Sequence, residues 1–322
     1  MKNRENASMA SHLFRRYEKN PILTAADWPY PANSVFNPGA TEFNGETLLL
    51  VRVEDMRGLS HLTVARSKDG KTDWRIAPQP AMEPQVDARE ERWGVEDPRI
   101  VWLEEDKEFA IAYVSFSRGG PVVSLATSRD FNTFKRLGTV MPPEDKDACL
   151  LPRRFQGRFA LIHRPIIRRG ADIWISFSPD LKHWGDHRVL LSVRPGWWDS
   201  HRVGLGTQPI ETKEGWLIIY HGARQTASGS LYRVGLALLD LDEPWRVIRR
   251  SDEWVFAPTE AYEQVGDVPG VTFPCGAVVD HSTDELRVYY GAADKCVGLA
   301  IGRMGEVMDY VRSCSSPHRL ES

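Results

Sequence analysis

The chain has 322 residues, of which 42% are hydrophobic, and a formal net charge of -3 at pH 7. This length can bury one large core or two ordinary ones, and the charge balance excludes a strongly basic surface and hence a nucleic-acid partner. No apolar run approaches the length of a membrane span, and the polar start shows no signal-peptide core. We therefore expect a cytoplasmic protein with no membrane partner.

At the N-terminus we predict a short helix over Ser11–Lys19, within an extension that covers residues 1–20. After it, short β-type runs alternate with polar turns, and persistent helical periodicity is absent. The clearest runs are Thr47–Val53, Phe109–Val114, Trp216–Tyr220 and Glu285–Tyr290. The pattern is typical of an all-β protein.

A turn pattern recurs at intervals of roughly fifty to sixty residues, the length of one four-stranded propeller blade. In each copy an Asp or Ser side chain supports the turn, and an aromatic residue then anchors the next strand. The copies begin at Ala65, Ala126, Ser176 and Leu238, with a worn fifth copy at Ala300–Met304. We predict a single five-bladed β-propeller, one catalytic domain over residues 1–322. The alternative is a pair of β-sandwiches, which would lack a blade-length repeat.

Within the second unit, the segment Trp93–Ile100 places two carboxylates just before a proline. Pro98 has a fixed φ and disfavours a helical backbone at Asp97, which should therefore be held rigidly at the start of a strand. Catalytic side chains are often displayed at such positions. The alternative is a turn carrying a surface ion pair between Arg99 and either Glu96 or Asp97.

Three cationic or imidazole side chains in later units, Lys146, Arg164 and His221, stand beside small or apolar residues and not in mixed-charge runs. The surroundings of Arg164 suggest partial burial, and a buried arginine needs an anionic partner. That partner is either an internal carboxylate or a bound oxyanion such as phosphate, which a guanidinium group matches in a bidentate manner. Ion pairs between blades are the structural alternative.

Metal and cofactor motifs are missing from the sequence. No Cys-x-x-Cys pair occurs, which argues against a zinc site and a disulfide framework. We interpret His183 and His187 as solvated, although their spacing suits one helical face. There is no nucleophile elbow, phosphate-binding loop or dinucleotide fingerprint. We predict neither a metal nor a cofactor.

The string Gly94–Arg99 resembles the corresponding motif of glycoside hydrolase family 130, the β-mannoside phosphorylases and related mannosidases. The resemblance continues in the right order over nearly the whole chain, at Asn20–Leu23, Phe36–Ala40, Arg52–Glu54, Pro142–Ala148, Tyr220–Gly222 and Tyr290–Asp294. It implies a five-bladed propeller. It also implies reversible, inverting phosphorolysis of a terminal β-mannoside to α-mannose 1-phosphate, with inorganic phosphate as co-substrate.

The resemblance also implies roles for individual residues. Asp97 is the implied general acid, acting on the leaving oxygen through a hydroxyl of the bound mannose. The implied phosphate ligands are Arg52, Lys146, Arg164, His221 and Tyr232. The implied ligands of the mannosyl hydroxyls are Asn33, Ser34 and Asp294, and the implied sugar-binding rim is Arg57, Phe273 and Cys275. We interpret Glu96 as a structural partner of Arg99 or of a neighbouring loop.

A hydrolase that inverts needs a second carboxylate to activate water, whereas a phosphorylase needs cations to hold phosphate. The cations at Lys146, Arg164 and His221 favour phosphorolysis. A β-mannosidase of the same family and a non-catalytic glycan-binding propeller are the alternatives. The acceptor stays open among glucose, N-acetylglucosamine, mannose and mannan in 1,4 or 1,2 linkage. The chain length and the short N-terminal segment favour the oligosaccharide-acting branch. The oligomeric state stays open between a monomer and a homo-oligomer, since the resemblance implies a family whose members often assemble through propeller edges.

Overall fold

Strands dominate the computed structural model, which describes residues 10, 12–85, 87–167, 171–227 and 229–316. The strands are β1 Arg15–Arg16, β2 Ser34–Phe43, β3 Glu46–Glu54, β4 Ser60–Ser67, β5 Arg75–Ile76, β6 Gly94–Leu103, β7 Glu108–Ser117, β8 Gly120–Ser128, β9 Lys135–Thr139, β10 Asp145–Leu150, β11 Phe159–Pro165, β12 Ile173–Ser178, β13 Gly185–Leu191, β14 Arg202–Leu205, β15 Ile210–Thr212, β16 Gly215–Thr226, β17 Gly229–Leu239, β18 Val247–Arg250, β19 Thr272–Asp280, β20 Glu285–Ala292 and β21 Cys296–Arg303. The helices among these residues are α1 Ala261–Gln264 and α2 Met304–Ser313, and short 3₁₀ turns cover Ala25–Asp27 and Arg89–Glu91. The protein is all-β, as predicted.

The strands form five successive antiparallel meanders, numbered here from the N-terminus. The first contains β2–β5, the second β6–β9, the third β10–β13, the fourth β14–β18 and the fifth β19–β21. A single parallel bridge between Ser60 and Gly94 joins the first meander to the second. Within a meander, consecutive strands pair with each other, except that β14 and β15 both pair with β16. Short turns between consecutive strands permit only antiparallel pairing.

The opening strands of the meanders lie around a common centre. β2 contacts β6, β6 contacts β10, and β10 contacts β14. β19 contacts β2 of the first meander and β16 of the fourth. Each opening strand therefore presents one edge of its meander to this centre, where polar side chains from different meanders can meet.

The predicted turns occur between the last two strands of the first four meanders. In the second meander, Asp130 Oδ1 accepts the backbone N–H groups of Asn132 and Thr133, both at 2.8 Å. In the third, Asp180 does the same for Lys182 and His183 at 2.9 Å. A short acceptor side chain that satisfies two turn amides explains why Asp recurs there.

The fifth meander differs from the prediction. Ala300–Arg303 lies in β21, and Met304 begins helix α2, so the worn fifth turn is wrong. Its fourth strand comes instead from the other end of the chain, since β1 pairs with β21 through Arg15 opposite Ile301 and Arg16 opposite Ala300. The helix predicted over Ser11–Lys19 is wrong for residues 12–19, because pairing with β21 satisfies the backbone there; Ser11 lies outside the described residues.

Helix α2 also corrects the prediction that helical periodicity ends after the first twenty residues. Val307, Met308, Tyr310 and Val311 form its buried face and pack in one core with Leu13. The spacing of these side chains is that of an amphipathic helix. No helix in the described part of the chain is long and apolar enough to cross a membrane.

Candidate active site

An irregularity interrupts the opening strand of three meanders at equivalent points. The register shifts between Phe36 and Gly39 in β2, between Glu96 and Arg99 in β6, and between Lys146 and Cys149 in β10. Inside these bulges Asn37, Asp97 and Asp147 have φ values of 46°, 49° and 54°. Asn and Asp tolerate this left-handed backbone better than other side chains. All three are buried, and the bulges aim them into the centre.

Two glycines make room for these side chains. A Cβ atom on Gly204 would collide with the Asp147 carboxylate and the His221 ring. A Cβ atom on Gly291 would collide with the Asn37 side-chain oxygen. The close approach of these strands to the centre therefore requires glycine at both positions.

Asp97 lies at the middle of a polar cluster. Its Oδ1 accepts hydrogen bonds from Asn37 Nδ2 at 2.9 Å and from Arg52 Nη1 at 3.0 Å. Its Oδ2 lies 3.6 Å from Lys146 Nζ. The proposed surface ion pair with Arg99 is wrong, because Asp97 is buried and its partners come from β2, β3 and β10.

The charges around Asp97 set its ionisation. Burial alone would raise the pKa of Asp97, but the positive charges of Arg52 and Lys146 and the Asn37 hydrogen bond bring that pKa below its usual range. Burial raises the pKa of the adjacent Glu96, and the negative charge of Asp97 acts in the same direction. The protein's own side chains therefore favour an ionised Asp97 beside a more readily protonated Glu96.

Glu96 does not pair with Arg99, contrary to our interpretation. Its Oε1 accepts a hydrogen bond from Arg52 Nη2 at 3.0 Å. Arg99 is buried and donates to the backbone carbonyls of Gly206 at 2.6 Å and Leu205 at 2.8 Å. Arg99 thus connects the second meander to the fourth through hydrogen bonds. The carboxylates of Glu96 and Asp97 are both bound by Arg52.

Asp147 organises a second group of charges. Its Oδ2 accepts a hydrogen bond from Arg164 Nε at 2.6 Å and lies 3.5 Å from His221 Nε2. Although burial opposes ionisation, the charge of Arg164 holds the pKa of Asp147 well below its usual range. Asp147 therefore fixes the orientation of the Arg164 guanidinium group.

Several donors in this second group have no partner. Arg164 uses only its Nε and backbone N–H for hydrogen bonds among the described residues, which leaves both terminal nitrogens unpaired. Within the same residues, Lys146 Nζ has only the long contact with Asp97, and both ring nitrogens of His221 are buried without a hydrogen-bond partner. A buried ring N–H without a partner, as in His221, is rare unless a ligand or water completes it.

Aromatic rings enclose His221. The Phe273 ring lies 4.6 Å from it and the Tyr232 ring 6.0 Å. Burial lowers the pKa of His221 to about 3, so the ring is neutral near pH 7 and offers one N–H donor. Cys275 is buried in the same wall, and burial raises the pKa of its thiol.

Asp294 faces the Asp97 cluster from the fifth meander. It occupies the β20–β21 turn with φ 50°, next to Ala293 with φ 49°, as a type I′ hairpin requires. Burial raises the pKa of Asp294 to about 6, opposed by the charge of Arg52 and supported by that of Asp97. Ser34 is fully buried and its Oγ has no partner among the described residues.

Two predicted residues lie apart from the centre. Arg57 has a side chain 77% exposed and pairs with Asp55 at 2.7 Å. Asn33 lies near the rim, where its Nδ2 donates to Asp267 Oδ2 at 2.9 Å. Of the twelve predicted site residues, these two are the ones whose side chains the structure directs to partners outside the Asp97 and Asp147 groups.

Behind Lys146 and Arg164 runs a chain of buried hydrogen bonds. His163 Nδ1 lies 2.6 Å from Asp145 Oδ2, and His163 Nε2 lies 2.7 Å from Ser176 Oγ. The other oxygen of Asp145 accepts the backbone N–H of Arg164 at 3.1 Å. Ser176 Oγ also lies 2.7 Å from Nδ1 of the exposed His187, which is thus not simply solvated.

Metal-ligand geometry is not found here: the described residues contain no cluster of three or more His, Cys, Asp or Glu side chains able to hold an ion. The centre contains instead a cluster of carboxylates around Arg52 and a cluster of hydrogen-bond donors around Asp147. Lys146 lies between the two clusters. Such a pair of groups can bind an anion beside a proton donor.

Comparison with known proteins identifies the family of this protein. The model of glycoside hydrolase family 130, described as beta-1,4-mannooligosaccharide phosphorylase, matches residues 11–313. The chain belongs to glycoside hydrolase family 130.

Curated relatives in family 130 are similar over nearly their full lengths. The chain is 36% identical to beta-1,4-mannooligosaccharide phosphorylase of Ruminococcus albus, covering 94% of this chain and 91% of that protein. It is 37% identical to 1,2-beta-oligomannan phosphorylase of a Thermoanaerobacter species, covering 92% and 98%. The solved Listeria innocua beta-1,2-mannobiose phosphorylase, in complex with beta-1,2-mannobiose, is 32% identical with a TM-score of 0.84, covering 93% and 99%.

Sequence reasoning assigned no role to several residues that build this family 130 site. Asn37 and Asp147 fell within candidate stretches, but neither was singled out. Their signal was available: an Asn or Asp follows the first residues of the opening strand in three successive units. Asp145 and His163 had no such signal, because their pairing depends on the register of β10 against β11.

Proposed function

We propose that this family 130 protein is an inverting glycoside phosphorylase. It cleaves a terminal β-mannosidic bond with inorganic phosphate and releases α-mannose 1-phosphate in a reversible reaction. The protein is an enzyme of the glycosyltransferase type, in which phosphate takes the place that water has in a hydrolase. Membership of the family and the names of its relatives support this function.

One observation carries the choice of phosphate over water. Lys146, Arg164 and His221 lie around the Asp97 and Asp147 carboxylates, and each has nitrogen atoms without a hydrogen-bond partner among the residues that the structure describes. Asp147 binds only the Nε of Arg164, so both terminal nitrogens lack a partner among the described residues, and a guanidinium edge of this kind suits two phosphate oxygens. Tyr232, next to His221, is proposed as a further ligand.

Asp97 is the proposed general acid. Since the pKa of Asp97 lies below its usual range, the acid role requires that substrates raise it. A phosphate bound by Lys146 and Arg164 offsets their positive charge, and the sugar excludes water; both effects favour the protonated carboxyl. Arg52 holds the Asp97 side chain in place through β3, with its three nitrogens bonded to Ser60, Asp97 and Glu96.

The reaction balances with these groups alone. A phosphate oxygen attacks the anomeric carbon from the face opposite the leaving oxygen, and the C–O bond to the leaving sugar breaks. Asp97 supplies the proton to that oxygen, through a mannose hydroxyl, and the proton carried by hydrogen phosphate restores Asp97. Ser34 and Asp294, with Asn33 at the rim, are the proposed ligands of the mannosyl hydroxyls, and Phe273 and Cys275 form the wall.

The five meanders around one centre support a five-bladed β-propeller as the architecture. We propose one catalytic domain, in which β1 closes the ring by completing the last blade. Closure by a strand from the other terminus ties the chain ends together and covers the edge of β21.

A phosphate-dependence assay tests the function. The protein is incubated with β-1,4- and β-1,2-linked mannobiose and mannotriose, with and without inorganic phosphate, and α-mannose 1-phosphate and free mannose are measured. Phosphate-dependent formation of α-mannose 1-phosphate is expected. Release of free mannose at the same rate without phosphate would show a β-mannosidase, and the absence of both products would refute the proposal.

A further inference from the structure

A continuous set of hydrogen bonds leads from the surface of the third meander toward the proposed phosphate ligands. Its members, in order from the surface, are His187, Ser176, His163 and Asp145, and we call them the histidine chain. No step of the proposed reaction uses these residues. We propose that His187, Ser176 and His163 are positioning residues for phosphate binding, which act on Arg164 through Asp145. The inference rests on the proposed role of Arg164 as a phosphate ligand.

The inner end of the histidine chain holds Arg164 by its backbone. Asp145 Oδ1 accepts the backbone N–H of Arg164 at 3.1 Å, and Asp147 Oδ2 accepts the Nε–H of the same arginine at 2.6 Å. Asp145 also directly precedes Lys146 in β10. A shift of the Asp145 carboxylate therefore moves the backbone from which two proposed phosphate ligands extend. Small displacements of such groups are costly, because binding depends on their being held in place beforehand.

The ring of His163 supports Asp145 as a hydrogen-bond acceptor. Both residues are buried, and burial raises the pKa of Asp145, whereas the hydrogen bond from His163 opposes that rise. His163 Nδ1 lies 2.6 Å from Asp145 Oδ2, so this nitrogen carries the hydrogen when the carboxylate is ionised. A neutral ring has only one N–H group, which makes Nε2 of His163 an acceptor.

The hydroxyl of Ser176 gives the histidine chain a direction. Its Oγ lies 2.7 Å from His163 Nε2 and 2.7 Å from His187 Nδ1, yet a hydroxyl has only one hydrogen. Because His163 Nε2 is an acceptor, the hydroxyl donates to it and accepts from His187 Nδ1–H. With Asp145 ionised and both rings neutral, one arrangement satisfies every group, and each donor in it points from the surface toward Asp145.

A bulge places His187 at the outer end. The pairing of β12 with β13 shifts register at Ser176, so that Asp186 and His187 both lie opposite it. Asp186 has a φ of 50°, a left-handed backbone that Asp tolerates better than most residues. The rings of His163 and His187 have centroids 6.4 Å apart. An exposed imidazole thus lies within hydrogen-bond distance of a fully buried hydroxyl.

Asp, His and Ser in this order also occur in nucleophilic triads, but the surroundings of Ser176 exclude that role. Ser176 is fully buried, and its Oγ is shared with a second histidine. A nucleophilic serine has to reach its substrate, which a buried oxygen between two imidazole rings cannot do. The histidine chain therefore acts on the position of Arg164 and has no covalent chemistry of its own.

The test compares three variants of the histidine chain with the wild-type enzyme. Ser176→Ala removes the shared oxygen, His187→Ala removes the surface donor, and His187→Asn keeps an N–H group near the position of Nδ1. The matched control is His183→Ala, which changes another exposed histidine of the third meander that contacts Asp180. The KM values for phosphate and for mannobiose are measured separately, and urea unfolding checks the fold.

We expect phosphate KM to rise roughly tenfold in Ser176→Ala and roughly threefold in His187→Ala, the loss of two hydrogen bonds and of one. His187→Asn and His183→Ala should keep the phosphate KM of the wild type. Mannobiose KM should change by less than about twofold in every variant, because the chain acts on the phosphate ligands. Equal rises in both KM values in His187→Ala, which lies at an exposed position, would contradict the positioning role.

Calorimetry with inorganic phosphate alone separates this inference from the proposed function. Weaker phosphate binding by Ser176→Ala and His187→Ala, with wild-type binding by His187→Asn, supports the histidine chain even where no mannoside is cleaved, a result that would refute the phosphorylase instead. Wild-type affinity in either alanine variant, or equal weakening in His187→Ala and His187→Asn, overturns the histidine chain and leaves the phosphorylase standing. A wild-type protein that binds no phosphate would overturn both.

Discussion

Arg52 and Asp97 form the central contact of the site: Arg52 Nη1 donates to Asp97 Oδ1 at 3.0 Å across the boundary between the first two meanders. The same arginine binds Glu96, so one guanidinium group controls two adjacent carboxylates. Because Asp97 lies within a bulge, its backbone is fixed in a left-handed conformation and its side chain cannot drift from this contact. The acid is thus placed by neighbouring strands and not by a mobile loop.

Asp97→Asn should abolish turnover and keep the fold. The amide preserves the shape of the carboxylate but cannot supply the proton, a loss of roughly 10² to 10⁴ in rate. Phosphate-dependent product release and circular dichroism would measure the two effects. Asp309→Asn, a change of an exposed carboxylate on α2, is the control. A variant Asp97→Asn with near wild-type kcat would remove this residue from the acid role.

Arg164→Ala should mainly damage the use of phosphate. It removes the free guanidinium edge and leaves Asp147 buried without its closest cation, so we expect phosphate KM to rise roughly tenfold to a hundredfold and stability to fall by about 3 kcal/mol. Steady-state kinetics at varied phosphate concentrations would measure the first effect and urea unfolding the second. Arg188→Ala, at an exposed position on β13, should change neither. An unchanged phosphate KM would contradict the assignment.

We expect Asp145→Asn to impair the reaction by displacing a phosphate ligand and not by removing a contact with the substrate. The Asp145 carboxylate binds His163 and the backbone N–H of Arg164, so its loss should shift Arg164 and raise phosphate KM roughly tenfold. The KM for mannoside should change much less, which a general loss of structure would not produce. His183→Gln, on an exposed histidine, serves as the control. Equal rises in both KM values would indicate a purely structural role.

Asp294→Asn should change the pH dependence of stability. The pKa of about 6 in the folded protein exceeds the ordinary value of 3.8, so the folded state binds this proton more tightly than the unfolded state. The stability contributed by the protonated carboxyl is complete below about pH 4 and is lost as the pH rises through 6. At pH 7 the variant should therefore have a larger free energy of unfolding than the wild type, by on the order of 1 to 3 kcal/mol. Screening by solvent reduces this difference.

Unfolding by urea at pH 5 and pH 7 checks this sign. The advantage of Asp294→Asn over the wild type should be larger at pH 7 than at pH 5, and Asp309→Asn should show no such difference. An advantage that grows toward low pH would mean that the Asp294 carboxyl is stabilised in its charged form.

The all-β fold and the repeat were accessible from the sequence because they depend on local patterns. Turns such as Asp130–Thr133 satisfy their own backbone groups and therefore have a readable signature. The pairing of Arg15–Arg16 with β21 had none, because it joins the two ends of the chain and its two residues carry no periodicity. Helix α2 was overlooked although Val307, Met308 and Val311 carry a helical pattern.

By itself, the sequence determined that Asp97 is rigidly placed before a proline, that it stands at the start of a strand and that cations occur in other units. Only the tertiary structure decided the partners: Glu96 binds Arg52 and not Arg99, and Asp147 orients Arg164. The reason is physical. Backbone conformation depends on near neighbours, whereas the pairing of buried charges depends on which strands meet at the centre, and that is set by packing across the whole chain.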